Sequence, residues 1–292
     1  IGQALDTPDD VIFDWLQETA YPDQPMGRGI LGPPERVRGF QRDDLGRFVA
    51  RHYRPARMIV SAAGAVEHDA MVRLAERYFS DLSPGPAPAG EAAAYAGGER
   101  RVEKGLEQAH MALALPAPAY REPDFLAGQI FSVALGGGMS SRLFQEARER
   151  RGLCYTIFAQ AAAWADSGLL TVYAGTGGGE VAELATLTAR ELARAREDLT
   201  EAEIARARAQ TRASLVMGLE SPSARAERNA SLLAIWDRVP PVEETLARID
   251  AVDVADAREV AARITAARPA LALYGPVGAA PGEAEIARLL AA

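Results

Sequence analysis

The sequence predicts a two-domain protein of helices and strands, built as a weak repeat whose first copy is cut short at its N-terminal side. Three observations carry this. The chain has 292 residues, which at roughly 150 residues per domain gives two domains, each able to bury a core. The apolar runs Met58–Gly64 and Ala270–Gly275 each follow a helical pattern and an Arg-containing turn, and each ends in Gly. Between them, from Ser83 to Gly98, the composition shifts to Pro84, Gly85, Pro86, Pro88, Gly90, Gly97 and Gly98 among many Ala, the make-up of an interdomain linker.

The elements follow in order. Thr7-Pro8-Asp9-Asp10 places a capping residue, a Pro and two acids ahead of Val11, Ile12, Trp15 and Leu16 at helical spacing, which predicts a helix over Pro8–Ala20. Tyr21 to Pro34 is too rich in Pro and Gly for any regular element and reads as a long loop. Helices over Asp43–Tyr53 and Asp69–Phe79 flank Arg57–Gly64, which reads as a buried strand. Beyond the linker, a strand at Gln108–Leu115 precedes a helix at Asp124–Leu135, the glycines Gly136, Gly137 and Gly138, and a helix at Ser140–Arg150. Strands at Cys154–Ala163 and Gly168–Gly175 come next. Helices over Glu180–Glu197, Thr200–Leu219 and Ser223–Val239 follow, the second opened by the capping box Thr200-Glu201-Ala202-Glu203 and the third stopped by Pro240-Pro241. Two more helices, Val242–Asp250 and Ala255–Ala266, lead into the strand Ala270–Gly275.

Composition narrows the chemistry. Acids outnumber bases 40 to 32 and Lys104 is the only Lys, so no broad basic field exists for a nucleic-acid backbone and no nucleic-acid partner is expected. No apolar run approaches the ~20 residues of a membrane span, so no membrane partner is expected either. Residues 1–30 carry no leader pattern, and the start at Ile1 rather than Met predicts a front segment outside these residues. Cys154 alone gives no reason for an oxidising compartment or a thiolate nucleophile and reads as a core residue. His52, His68 and His110 are the only imidazoles, and none stands four residues from another, so no helix face carries the paired ligands of a zinc site. No G-x-S-x-G elbow points to a serine nucleophile. The runs Gly136–Gly138 and Gly175–Gly179 lack the residues of phosphate-binding loops; they read either as tight turns needing positive φ or as flexible loops contacting an extended peptide.

The most informative stretch runs from Gly136 through Ser141-Arg142-Leu143-Phe144 and Arg148-Glu149 to Gly152-Leu153-Cys154-Tyr155. On a helix, Leu143, Phe144 and Ala147 form an apolar face, while Arg148 falls near the last turn, where a cation suits the helix dipole. This stretch resembles the pitrilysin/insulinase family of zinc metallopeptidases, in particular its processing-peptidase branch of bacteria and mitochondria. Asp6-Thr7-Pro8-Asp9-Asp10, Tyr21-Pro22-Asp23-Gln24-Pro25-Met26-Gly27-Arg28, Ile30-Leu31-Gly32 and Ser214-Leu215 through Glu220-Ser221 to Arg225-Ala226-Glu227 extend the resemblance over nearly the whole chain. So does Val242-Glu243-Glu244 leading to Ile249-Asp250-Ala251-Val252.

The resemblance implies an α+β fold: two related domains, each with a mostly antiparallel sheet covered by helices, the first truncated. Residues 1–83 would be the remainder of the N-terminal peptidase-like domain, 84–100 the linker and 101–292 the C-terminal, substrate-gripping domain. It implies zinc as cofactor, held by an H-x-x-E-H helix and a later Glu. The motif is absent and residues 1–17 contain no Glu, so no metal ligand is expected here and the zinc ligands are expected outside this chain. It implies that Arg148 and Tyr155 are the catalytic pair, binding the substrate backbone and stabilising the developing oxyanion, with Gly136, Gly137 and Gly138 as further substrate contacts. A guanidinium and a phenol can each donate to an oxygen gaining charge. The implied partners are an extended peptide substrate and a homodimer mate, an active subunit or the absent front segment. A non-catalytic partner subunit and a structural core subunit of a larger complex are the rivals. A chain beginning inside a broken domain is expected to expose an apolar sheet face and edge.

Overall fold

A computed structural model describes residues 1–82, 84–86 and 88–292; the Ser83 boundary and Ala87 of the expected linker lie outside the described residues. Before the linker the chain forms α1 (Gly2–Leu5), α2 (Pro8–Ala20), α3 (Pro34–Gly39), α4 (Arg42–His52) and α5 (His68–Phe79). After it come β1 (Gly98–Glu103), β2 (Ala109–Pro116), α6 (Phe125–Gly136), a π-helix (Phe144–Arg150), β3 (Cys154–Ala163) and β4 (Gly168–Thr176). The last part is α7 (Val181–Asp198), α8 (Glu201–Gly218), α9 (Pro222–Trp236), α10 (Val242–Ala251), α11 (Val254–Thr265), β5 (Ala270–Gly275) and α12 (Glu283–Ala291).

The chain divides into two compact units: residues 1–31, 92–211 and 246–292 form one, and residues 32–91 and 212–245 the other. Both are discontinuous in sequence. The reason is visible in α2, whose Val11, Ile12, Leu16 and Ala20 pack into the core beside sheet residues of the first unit.

The first unit is built on a five-stranded sheet in the order β1-β5-β2-β4-β3. β1 pairs with β5 in parallel and the other three pairings are antiparallel, so the expected mostly antiparallel sheet covered by helices is present. One face carries Ala112, Ala114, Ala270 and Ala272, small residues that let α2 approach closely. Phe13 and Trp15 of α2 meet Tyr173 and Tyr274 in tilted ring contacts, with centroids 5.3 and 4.8 Å apart. The opposite face, with Met111, Leu113, Leu170, Leu271 and Leu273, is also buried. α7 and α11 reach β2, and α6 lies against β3. Cover on both sides explains why β2 reads as an uninterrupted apolar run.

Two elements depart from expectation. Residues 98–100, read as linker, begin β1. Its charges hid it: Arg100 pairs with Glu18 and lies 4.4 Å over the Trp15 ring, and Arg101 donates to the carbonyls of Val277 and Ala280. An edge strand tolerates such residues because only one side of its ladder is filled. The second departure is Met58–Gly64, expected as a buried strand. Residues 58–63 run without a ladder, with Ile59 39% and Val60 51% exposed. Among the described residues there is no strand in the second unit to pair with them. No described residue of 32–91 is buried, and apolar side chains of α4, α5 and this segment, among them Leu45, Phe48, Val60 and Leu74, are exposed.

Candidate functional site

The stretch singled out by sequence begins where α6 ends. α6 is apolar nearly all round, with Ile130, Phe131 and Leu135 fully buried. Gly136 is required by proximity: a Cβ there would sit 2.3 Å from the Ala159 nitrogen of β3. At Gly137 a Cβ would fall 2.7 Å from Val133 Cα, whereas at Gly138 the nearest atom, on Gln210, is 3.5 Å away. None of the three takes positive φ, so close approach rather than left-handed backbone explains the first two glycines. Gly175–Gly179 likewise contains no positive φ. The Gln210 side chain of α8 donates to the Gly137 carbonyl at 2.7 Å, and Gln145 donates to the Met139 carbonyl at 2.7 Å. The loop is tied at both ends.

The expected helix at Ser140–Arg150 takes π geometry over Phe144–Arg150, a form often found at functional sites. Leu143 and Ala147 are fully buried and anchor its inner side. Gly152, at φ +62°, turns the chain back, with the Gly152 and Leu153 amides donating to the carbonyls of Arg148 and Ala147 at 3.1 and 2.8 Å. The chain then enters β3 and meets β4. That ladder shifts register between Cys154 and Thr156, leaving Tyr155 as the extra residue of a β-bulge. A bulge re-aims its side chain, and Tyr155 is 77% exposed while Cys154 beside it is buried.

These turns bring Arg148 and Tyr155 together. The Arg148 guanidinium carbon lies 4.7 Å from the Tyr155 ring centroid and 4.6 Å from that of Phe144, contacts within cation–π range. Its one close charge is Glu149, at 3.8 Å from Nε. Neither its N–H groups nor the Tyr155 hydroxyl has a hydrogen-bond partner among the described residues. Phe144, read in the sequence only as part of an apolar face, is the residue missed; its i, i+4 spacing to Arg148 was the available signal. Burial pushes the Cys154 thiol up to about 11, against the lowering pull of Arg148, so Cys154 is no nucleophile at neutral pH.

The arrangement can hold and polarise an oxygen. The three imidazoles are dispersed. His52 ends α4 against the Phe48 ring at 4.5 Å, His68 begins α5, and His110 on β2 shares a 2.9 Å hydrogen bond with the Tyr173 hydroxyl. Burial lowers the His110 pKa, with Asp9 opposing, and burial raises that of Tyr173 to about 12. Among the described residues no three His, Cys, Asp or Glu gather into a metal-holding group. With its three imidazoles apart and no such group, the described part of the chain offers no ligand set of the kind a zinc site uses. No helix of the described residues is long and apolar enough to cross a membrane.

Comparison with known proteins adds to this geometry. A family model described as the peptidase M16 inactive domain matches residues 39–211. An uncharacterized zinc protease of Streptomyces coelicolor is 36% identical over 287 residues, which are 95% of this chain and 62% of that protein. One from Bacillus subtilis is 30% identical over 278 residues, 94% of this chain and 68% of that protein. The chain thus spans about two thirds or less of the length of these relatives. Among solved structures, a chain of complex III2 from Candida albicans, with Inz-5 bound, superposes with a TM-score of 0.91 at 20% identity, covering 99% of this chain and 72% of that one. At that identity the likeness concerns the fold.

Proposed function

The chain belongs to the peptidase M16 family, the family of pitrilysin and insulinase, and from that premise we propose that it is the substrate-gripping portion of a zinc-dependent endopeptidase. Arg148 and Tyr155 grip an extended peptide and donate to the carbonyl oxygen under attack. The observation that carries this is the guanidinium held within cation–π range of both Phe144 and Tyr155, with its donors making no hydrogen bond among the described residues. Contact with both rings restricts the guanidinium, so its N–H groups are held ready, with little rotamer freedom left to lose. The Tyr155 hydroxyl, pushed outward by the bulge, supplies a second donor of different geometry. Gly136 lets the chain lie close to β3 and Gly137 lets it turn close against the end of α6, and the loop's backbone provides further substrate contacts. The metal and the general base come from a front segment or a paired subunit.

The test is peptide hydrolysis by the complete assembly. Arg148→Ala and Tyr155→Phe are each expected to lower kcat by about 100-fold, the scale of losing one oxyanion donor, with zinc content unchanged. Unaltered hydrolysis in both variants overturns the assignment. A second reading, a non-catalytic partner or structural core subunit, is supported by the fold likeness to a chain of a complex III2 structure and by the description of the matching domain as inactive. It predicts that no version of the protein, alone or with other subunits, cleaves peptide.

A further inference from the structure

Arg142, six residues before Arg148, is buried to 8% side-chain exposure and uses all three of its nitrogens. Nε and Nη2 take the two oxygens of Glu203 at 3.0 and 3.1 Å, Nη1 donates to the Asp198 carboxylate, and Nη2 also reaches the Asp198 carbonyl at 3.3 Å. The acceptors are themselves held. Glu203 receives the Thr200 amide and hydroxyl at 2.8 Å each, and Arg194 bridges Asp198 and Glu191 at 2.8 Å each. Burial works against the charge on Glu203 and Asp198, yet the Arg142 hydrogen bonds and charge hold both carboxyls below their usual range.

We propose that Arg142 is a positioning residue for the Arg148–Tyr155 pair, fixing the rotation of the π-helix through its fork on Glu203 and Asp198. The inference rests on the functional reading of that pair. With its nitrogens occupied, Arg142 has none to offer a substrate, so it acts through Arg148. Stability alone does not call for it, since a well-packed apolar residue commonly serves a buried site as well as an ion cluster. What the cluster adds is direction: a planar fork on a carboxylate permits one orientation of the backbone that carries it. Leu143 and Ala147 fix the depth of the segment, being apolar and fully buried, but apolar contact is non-directional. Rotation about the segment axis is what would part Arg148 from the Tyr155 ring.

Two measurements on Arg142→Lys and Arg142→Gln test this, with Glu203→Gln as a third variant that keeps the shape, removes the charge and turns one of the fork's two acceptors into a donor. In this chain, hydrogen exchange at the Gly152 and Leu153 amides is expected to speed up about tenfold, the range of coupled neighbours, while β5 amides keep their rates. In the complete peptidase, kcat is expected to fall on the order of 10- to 100-fold with KM little changed, the cost of misplacing a group by about an ångström. On an Arg148→Ala background the Arg142 substitutions should lower kcat no further. Unchanged exchange at Gly152 and Leu153, or losses that multiply with Arg148→Ala, overturn the proposal. If Arg148→Ala itself spares hydrolysis, the functional reading of the pair falls, and the exchange rates still decide the role of Arg142.

Discussion

Residues 34–79 and 254–291 carry the same local plan in two settings. Each runs helix, apolar extended segment, glycine, helix: α4, Met58–Gly64 and α5 in one, α11, Ala270–Gly275 and α12 in the other. Even the closing glycines agree, with φ of +115° at Gly64 and +105° at Gly275. Yet every residue of Ala270–Gly275 is buried and paired, whereas residues 58–63 have no ladder. The amphipathic pattern and the turn are local properties and survive in both. Strand pairing and burial are tertiary properties and appear only where β1 and β2 flank the segment.

The sharpest way to break the comparison is a carboxylate in each segment. Leu273→Asp buries an unpaired charge and is expected to cost more than about 4 kcal/mol, whereas Ile59→Asp should stay within about 0.5 kcal/mol. Urea unfolding followed by the fluorescence of Trp15 and Trp164 in the first unit and of Trp236 in the second reads the difference; equal costs would show that burial is not what separates the two segments. Next come the glycines. A Cβ at Gly275 would lie 2.3 Å from the Gln108 carbonyl oxygen, while at Gly64 the nearest atom, on Pro222, is 3.6 Å away. Gly275→Ala is therefore expected to cost more than about 3 kcal/mol, and Gly64→Ala only the backbone strain of about 1–2 kcal/mol.

The smallest effect is a pH dependence confined to the first unit. Burial holds His110 neutral, with its folded pKa below the ordinary 6.5. Between those two values the unfolded chain binds more protons, so stability should fall as pH drops through about 6.5 and level off below the folded pKa. His110→Gln should flatten that slope in urea titrations across the window.

The sequence made legible what local chemistry determines. Caps and periodicity located α2, the capping box at Thr200 located α8, and continuous apolar runs located β2, β4 and β5. It also brought Arg148 and Tyr155 forward, through resemblance. It left β1 hidden because Arg100 and Arg101 find their partners on α2 and in the segment before α12, contacts about 80 to 180 residues away in sequence. α12 went unread for want of a periodic pattern long enough to stand out. Nor could spacing reveal that a bulge turns Tyr155 outward, which depends on how β3 registers against β4.

The position of β5 inside the sheet also sets a timetable. Gly98 pairs with Ala270, 172 residues later, and β5 lies between β1 and β2. During synthesis β2, β4 and β3 can assemble as they emerge, but β1 has no neighbour until the last strand is made. At 5–20 residues per second the wait is roughly 10–30 s. Throughout it the aromatic face of α2 lacks Tyr274 and half the alanines it rests on. A premature stop before residue 270 would therefore remove the middle of the sheet, leaving β1 unpaired and one side of β2 open to other chains.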